Sequence, residues 1–219
     1  MSLSSSPKLT KGGLVVMAPG GGAVRRIIAL QYNSDTVSHR YQVQGAGGDG
    51  GGERAQPFRL KGPAIETITL DAEIDATDQL EFPDRNADAV AFGIAPHLAV
   101  LEALVNPSVD ELLALAAQSA NGTLEVLPPE APLVLFIWSK NRVVPVRVTD
   151  FSITEEAFDP TLNPIRAKVS LGLRVMTTDD LGFVHKGATI FISYLRNREQ
   201  LAAKVGAPSL SSLGISNLP

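Results

Sequence analysis

A glycine-rich segment at 45–52 is the first place in this 219-residue chain where the residue types invite a chemical interpretation. It reads GAGGDGGG and formally contains the glycine spacing of a dinucleotide-binding loop. That chemistry requires a helix to begin within the pattern, so that its amide groups hold the pyrophosphate. Here more glycine follows, and then Glu53-Arg54-Ala55-Gln56-Pro57, which starts a helix poorly. We therefore interpret the segment as a flexible loop that becomes ordered only against a partner.

Metal ligation is the second chemistry to consider, and the spacing argues against it. His39, His97 and His185 are isolated, with no second histidine at metal-ligand spacing. Seven carboxylates between 71 and 88 are dense enough to consider calcium, but they lack the central glycine and the spacing of an EF-hand loop; they are Asp71, Glu73, Asp75, Asp78, Glu81, Asp84 and Asp88. We expect no metal site and no cofactor.

Catalytic constellations are equally weak in the sequence. The chain has no cysteine, so it has neither a thiol nucleophile nor a disulfide framework. No nucleophile-elbow pattern is present. A catalytic triad stays open at this level, because its members need not be adjacent in sequence. The sequence predicts a protein that is not an enzyme.

Composition narrows the class of protein further. A hydrophobic content of 44% with 19% charged residues is typical of a globular domain with a sizeable core. The net charge of −4 provides no basic field for nucleic acid. No segment approaches the roughly 20 apolar residues of a membrane span. The first residues, MSLSSSPKLTKGG, lack the apolar region of a signal peptide.

Two segments alternate between apolar and polar residues, which is the strongest strand signal in the chain. One is 64–75, where we expect Ile68, Leu70, Ala72 and Ile74 to face the core. The other is 165–175, where the expected inward set is Ile165, Ala167, Val169, Leu171, Leu173 and Val175. One buried and one polar face indicate an antiparallel sheet. Further strands are predicted at 13–18, 26–32, 39–44, 133–138, 143–148 and 151–156.

Helices are predicted at 91–104, from 108 to 118, and at 188–205. The second begins with serine and glutamate at capping-box spacing, Ser108 and Glu111. In the third we expect Ile190, Tyr194, Leu195 and Leu201 to be the apolar anchors and Arg196, Arg198, Glu199 and Lys204 to be exposed. The order of strands, helices, strands and helix predicts one α+β domain at 13–205, with a helical insertion near 91–118. Residues 1–12 are expected to form a flexible arm and 206–219 a tail.

A short connector joins two of the predicted strands. It reads Asp159-Pro160-Thr161-Leu162-Asn163-Pro164, and its two prolines fix local φ and restrict the residue before each. Aspartate and asparagine can close local turns. We interpret the connector as architectural rather than catalytic.

The region around this connector resembles a known family. The segment 152–160, SITEEAFDP, and the following LNPIRA at 162–167 are similar to the tube-type proteins of bacterial contractile injection systems, which are phage-tail-like particles. The group of highest resemblance is the baseplate adaptor, which often carries a C-terminal LysM module. Weaker similarity lies in DAEIDATD at 71–78 and LEAL at 101–104. This sequence ends before a LysM module could follow, so we expect none.

The resemblance implies a fold and a function. The fold is an antiparallel β-barrel or sandwich of the tail-tube type with flanking helices. Identical copies form a ring, commonly a hexamer, that joins the inner tube to the spike-bearing hub. The implied partners are other copies of the chain, the tube protein, the spike or hub protein and baseplate components, assembled into the particle in the bacterial cytoplasm. Two alternatives stay open, namely a bulk inner-tube protomer and, in another class, a cell-wall-cleaving component.

Five charged residues are our candidates for contacts between subunits; they are Glu155, Glu156, Arg166, Lys168 and Arg174. The two glutamates can pair with basic residues of the same chain, which is the default, or of a neighbour. The three basic residues occupy the polar face of the strand at 165–175 and are expected to face a channel or an adjacent subunit. We expect reversal of the Arg174 charge to leave folding almost unchanged.

Overall fold

The computed structural model describes residues 10–45, 60–120, 131–206 and 209–217. Within these ranges the chain forms one antiparallel sheet of seven strands. The strands are β1 (Gly13–Met17), β2 (Val24–Ala29), β3 (Val37–Gln42), β4 (Ile65–Asp75), β5 (Leu133–Ser139), β6 (Arg142–Phe158) and β7 (Pro164–Val175). The helices are α1 (Thr77–Leu80), α2 (Ala87–Phe92), α3 (Ala95–Glu102), α4 (Val109–Ala120), α5 (Thr178–Leu181) and α6 (Lys186–Ala202). The predicted α+β class is confirmed.

The two alternating strands lie side by side in the sheet, whose order is β2-β1-β5-β6-β7-β4-β3. Leu70 of β4 pairs with Leu171 of β7, and Ile68 pairs with Leu173, so the predicted inward sets face the same core. Leu173 and Val169 are fully buried. Each such leucine stabilises the fold by about 1.5–3 kcal/mol through burial. The inward sets predicted from the period of two are confirmed.

Strand β6 corrects one prediction. The sequence predicts separate strands at 143–148 and 151–156, whereas the structure has a single 17-residue strand. The two halves are joined by a bulge, because the register shifts between Val148 and Asp150. Thr149 is the extra residue, and its hydroxyl donates a hydrogen bond to the carbonyl of Gly172 at 3.2 Å. A side chain at position 172 would crowd Asp150, so glycine stands opposite the bulge.

The predicted helix at 91–104 is also interrupted. It forms α2 and α3, which are separated at Gly93, where φ is +57°. Glycine adopts this φ readily. A side chain there would collide with the carbonyl of Pro164. The same carbonyl accepts a hydrogen bond from the amide of Ile94 at 2.8 Å, so the break docks the helical insertion onto the start of β7.

Helix α6 begins two residues before the predicted start, with the His185 side chain as its N-cap. Its buried residues are Gly187, Ala188, Phe191 and Tyr194. Two of the predicted anchors are exposed instead, Leu195 at 38% and Leu201 at 43%. The apolar stripe by which the helix packs is therefore narrower than predicted, and it contains Phe191 rather than Leu195.

The sheet is open rather than closed into a barrel, which corrects the shape implied by the resemblance. The end strands, β2 and β3, do not pair with each other anywhere in the described chain. A side chain spans part of the gap. Gln31, just after β2, donates from Nε2 to the Asp75 carbonyl at 2.6 Å and accepts from the Asp75 amide at 2.9 Å. The side chain of Gln31 thus makes the two hydrogen bonds that a neighbouring strand would otherwise make with the backbone of Asp75.

The strands on either side of the helical insertion share one main hydrophobic core, to which α3 contributes Leu98 and α6 contributes Phe191. The division into arm, domain and tail stays a prediction. Residues 1–9, the greater part of the glycine-rich loop at 45–52, and 207–208 and 218–219 of the tail lie outside the described residues.

Candidate functional site

The basic residues of β7 are held by acidic residues of the same chain. Arg166 Nε donates to Asp75 Oδ2 at 2.6 Å. Lys168 Nζ lies 2.8 Å from Glu156 Oε1, and this hydrogen bond raises the pKa of Lys168 above its ordinary value. In each pair the basic side chain is largely exposed, 44% for Arg166 and 60% for Lys168, so the pair contributes little to stability. They order the polar face of the sheet, and whether that face also contacts a neighbouring subunit stays a prediction.

Arg174 has a local role that the sequence does not reveal. Its NH2 donates to Asp180 Oδ1 at 2.8 Å, and only 29% of its side chain is exposed. Asp180 also accepts from the amide of Thr177 at 2.9 Å, which completes a capping box at the start of α5. The arginine therefore ties the end of β7 to α5. The structure does not bring Arg174 together with Glu155, which is exposed and has no ion pair in the described part of the chain.

The connector after β6 is closed by one carboxylate. Asp159 Oδ1 accepts from the amides of Thr161 and Asn163, each at 2.8 Å. Asn163 Nδ2 donates to Asp159 Oδ2 at 2.8 Å. The hydrogen bonds from Asn163, and then those from Thr161, lower the pKa of Asp159 to about 2. Leu162 has φ +68° and is 79% exposed, so the turn presents an apolar side chain to solvent.

Both edges of the sheet are unpaired within the described residues. Strand β2 pairs only with β1, and β3 pairs only with β4. On β2, Ile27 is 71% and Val24 is 53% exposed. Exposed edges with apolar residues are a template for pairing with another chain unless charges, prolines or bulges block them. Arg25 and Arg26 provide some charge on β2, but this strand has no proline.

Helix α4 is a second surface that is not covered by any of the described residues. Its N-terminus is fixed by the predicted capping box, in which the Ser108 amide donates to Glu111 Oε2 at 2.8 Å and the Glu111 amide donates to Ser108 Oγ at 3.3 Å. None of its residues is buried, and Leu112 and Leu113 are 50% and 63% exposed. A groove of about 630 Å³ runs beside it, between the helix and the sheet.

A buried acidic residue is the feature that sequence analysis missed. Glu66 is 4% exposed and lies on the inward face of β4, the same face as Ile68. The sequence does contain a signal for its burial, because position 66 is two residues before Ile68 and so lies on the same face of the strand as the core residues. A carboxylate in such a position requires hydrogen-bonded partners, since burial of an unpaired charge is costly.

The partners of Glu66 come from β3 and α6. Tyr41 donates to Glu66 Oε1 at 2.7 Å, and Tyr194 donates to the two carboxylate oxygens at 3.2 and 3.3 Å. His39 Nδ1 lies 2.8 Å from Oε1 and is a donor, because a carboxylate only accepts. Arg198 NH1 lies 3.5 Å from Oε2. We call these five residues the Glu66 cluster.

Arg198 completes the cluster from its solvent side. Its NH1 donates to the Tyr41 hydroxyl at 2.7 Å and to the Tyr194 hydroxyl at 2.9 Å. The guanidinium carbon also lies 5.2 Å and 5.3 Å from the centres of the two rings, within cation–π range. Burial, and then the interaction with Glu66, raises the pKa of both tyrosines above the ordinary value. Both hydroxyls therefore stay protonated, and each accepts a hydrogen bond from Arg198 and donates one to Glu66.

A pocket of about 380 Å³ lies over the cluster, between β3, the β5–β6 turn and α6. Asn141 and Arg142 line it from the turn, and Arg198 and Leu201 line it from α6. Glu66 is occupied by donors and is not free to act as a base. His39 Nε2 is buried and has no hydrogen-bond partner in the described chain. The arrangement suits binding of a polar group rather than proton transfer.

The described residues contain neither a metal-ligating cluster nor a membrane-spanning helix. Among the described residues, no group of three or more histidine, aspartate or glutamate side chains is arranged to hold a metal ion. No helix in the described ranges is long and apolar enough to cross a membrane.

Comparison with known proteins shows a similarity to a solved structure. No family model and no curated protein matches the chain. The similar structure is the tail of an empty GTA particle, refined with C6 symmetry. It shares 12% sequence identity with this chain and gives a TM-score of 0.30, over 78% of this chain and 95% of the other. Values this low do not establish a shared function.

Proposed function

We propose that this protein is a structural subunit that forms a ring in a contractile injection system, where it acts as the adaptor between the inner tube and the spike-bearing hub. The observation that carries the proposal is the pair of sheet edges, β2 and β3, that have no outer partner strand within the described residues. Because the two edges differ, β2 of one copy can pair with β3 of the next. Such head-to-tail contacts close into a ring when the rotation permits.

Two further features support assembly. Helix α4 is capped and formed although no residue in it is buried, which is the state expected of an element that packs against another subunit. Leu162 at the β6–β7 turn and Phe183 before α6 are 79% and 75% exposed. These apolar side chains have little role within a single copy.

The finer identity rests on the resemblance of 152–167 to baseplate adaptors. On that basis the ring is a hexamer, its partners are the tube protein, the spike or hub protein and baseplate components, and assembly takes place in the bacterial cytoplasm. The domain at 13–205 forms the ring, and the protein is not an enzyme. Lytic activity of the purified protein in a zymogram would favour a cell-wall-cleaving component instead.

Electron microscopy of purified particles tests the proposal directly. We expect a single ring of this chain near the spike end, marked by a tag on the protein. Many stacked rings would identify it as the bulk tube protomer, and its absence from particles would overturn the assembly role.

A pair of variants tests the role of the sheet edge. Ile27→Lys puts a charge on β2, which should block strand pairing and reduce incorporation into particles. Leu213→Lys is the matched control, because Leu213 is 73% exposed, against 71% for Ile27, and lies outside the sheet. Both variants should melt like the wild type. Equal incorporation of both would show that β2 is not an assembly edge.

A further inference from the structure

Two arginines face the pocket over the Glu66 cluster, and one of them has no acidic partner in the described chain. Arg142, at the start of β6, lines the pocket without an ion pair to any described residue. Arg198 contributes a second guanidinium, and its hydrogen bonds to Tyr41 and Tyr194 both come from NH1. Nε and NH2 of Arg198 make no hydrogen bond to another residue in the described ranges. Two planar guanidinium groups that line the same pocket are suited to binding an oxyanion.

The charge balance selects the kind of oxyanion. The two arginines carry two positive charges and Glu66 beneath them carries one negative charge, so the net charge of these three groups is +1. A carboxylate, with a single negative charge, matches this balance. A phosphate dianion would exceed it and would lie near the buried Glu66 charge. The pocket therefore favours a carboxylate over phosphate.

The size and walls of the pocket indicate how the carboxylate arrives. About 380 Å³ is larger than a small ion needs and lies at the low end of ligand-site volumes. Leu201, 43% exposed, and Tyr41 provide apolar surface beside the charged groups. That surface suits the methylene carbons of an acidic side chain. The pocket also borders β3, the edge strand that a partner chain can approach.

We propose that this pocket binds the carboxylate of an aspartate or glutamate side chain on a protein partner. Arg142 supplies the free guanidinium, and Arg198, fixed between Tyr41 and Tyr194, supplies the second. The Glu66 cluster orients Arg198 for this contact. The proposal concerns the pocket of a single subunit, so it does not depend on the ring proposed above.

Nuclear magnetic resonance titration of the full chain tests the proposal with defined probes. The peptide acetyl-Ala-Glu-Leu-amide should shift the Nε–Hε signals of Arg142 and Arg198 saturably. The matched acetyl-Ala-Gln-Leu-amide, which lacks the charge, should not. Equal shifts with both peptides, or no saturable shift with either, would overturn the carboxylate assignment. Inorganic phosphate that saturates the same signals at lower concentration than the glutamate peptide would overturn it as well.

Variants of the protein locate the contact. Arg142→Gln should weaken binding of the glutamate peptide by about tenfold, the loss expected for one charge-assisted contact. Arg142→Lys keeps the charge without the fork and should weaken it less. Arg40→Gln is the matched control, since Arg40 lies on β3 between two pocket residues but is exposed on the opposite face. Equal binding by the Arg142→Gln and Arg40→Gln proteins would overturn the proposal, provided that both melt like the wild type.

Discussion

Replacement of Glu66 by glutamine probes the one carboxylate that the fold buries. The variant keeps the shape of the side chain and one acceptor oxygen, but it removes the charge and introduces an amide donor. That amide must face Tyr194 or Arg198, both of which are donors toward position 66. One buried donor is thus left unsatisfied, and the remaining hydrogen bonds lose their charge assistance.

The magnitude follows from these contacts. An unsatisfied buried donor costs about 1–3 kcal/mol. The lost attraction to Arg198 adds little, because 44% of that side chain is exposed and the charge is screened. We expect a loss of about 2–3 kcal/mol in the free energy of unfolding. For a chain of this size, 1 kcal/mol corresponds to about 2–4 °C, so the melting temperature should fall by about 4–12 °C.

Thermal unfolding followed by circular dichroism measures this effect. Glu73→Gln is the matched control, because Glu73 lies on the same strand with its side chain 48% exposed and 3.9 Å from Arg166. It should change stability by less than about 0.5 kcal/mol. A double-mutant cycle with Tyr194→Phe should give a coupling energy of about 0.5–3 kcal/mol. Equal melting of the two glutamine variants, or zero coupling, would refute the role assigned to the buried carboxylate.

Four further predictions concern other parts of the chain. Leu171→Ala should lower the free energy of unfolding in urea by about 2–5 kcal/mol, because the leucine is fully enclosed and its loss leaves a cavity. The structure revises the sequence-based expectation that Arg174→Glu leaves folding almost unchanged: the variant should lower the melting temperature, since it places two carboxylates where arginine now contacts Asp180 at 2.8 Å. An unchanged melting temperature would show that this ion pair does not form in solution. The pKa of Asp159 is about 2 in the folded chain, below its unfolded value, so its stabilisation is present above about pH 4 and is lost as the pH falls toward 2. The difference in unfolding free energy between wild type and the Asp159→Asn variant should therefore shrink over that interval, and a constant difference would contradict the assignment. Ser108→Ala should speed amide hydrogen exchange in the first turn of α4, a local cost of about 0.5–2 kcal/mol, without moving the global melting temperature, since α4 buries no residue; a global shift would show that α4 is part of the folding unit.

The parts of the fold that the sequence predicts are those set by local periodicity. Strand β7 alternates along its length and β4 alternates from Thr67 to Asp75, and a shift of one residue would expose the inward side chains, so these faces are fixed by the pattern alone. The capping box at Ser108 is likewise a local rule and forms as predicted. Neither feature depends on which distant residues come together.

The parts that the sequence does not predict depend on distant contacts. In the sequence, the polar residues Thr149 and Asp150 indicate the end of a strand. In the structure, pairing with β7 continues on both sides of them, so they form a bulge within β6. The helix break at Gly93 depends on the carbonyl of Pro164, some distance along the chain. In the Glu66 cluster, Tyr41 and Arg198 are 157 positions apart. No spacing rule joins residues at that distance.

The position of the Glu66 cluster connects the buried polar groups to the edge strand β3. Strand β3 has only six residues and pairs with a neighbour on one side, so its ladder alone would leave it prone to fraying. Its inward side chains at 39 and 41 are tied through Glu66 and Arg198 to α6, which is anchored in the core by Phe191. The cluster thus supplies on the inner face of β3 the support that a second strand would otherwise supply at its edge. An edge strand held in this way can stay extended, which is the conformation that the proposed pairing with another subunit requires.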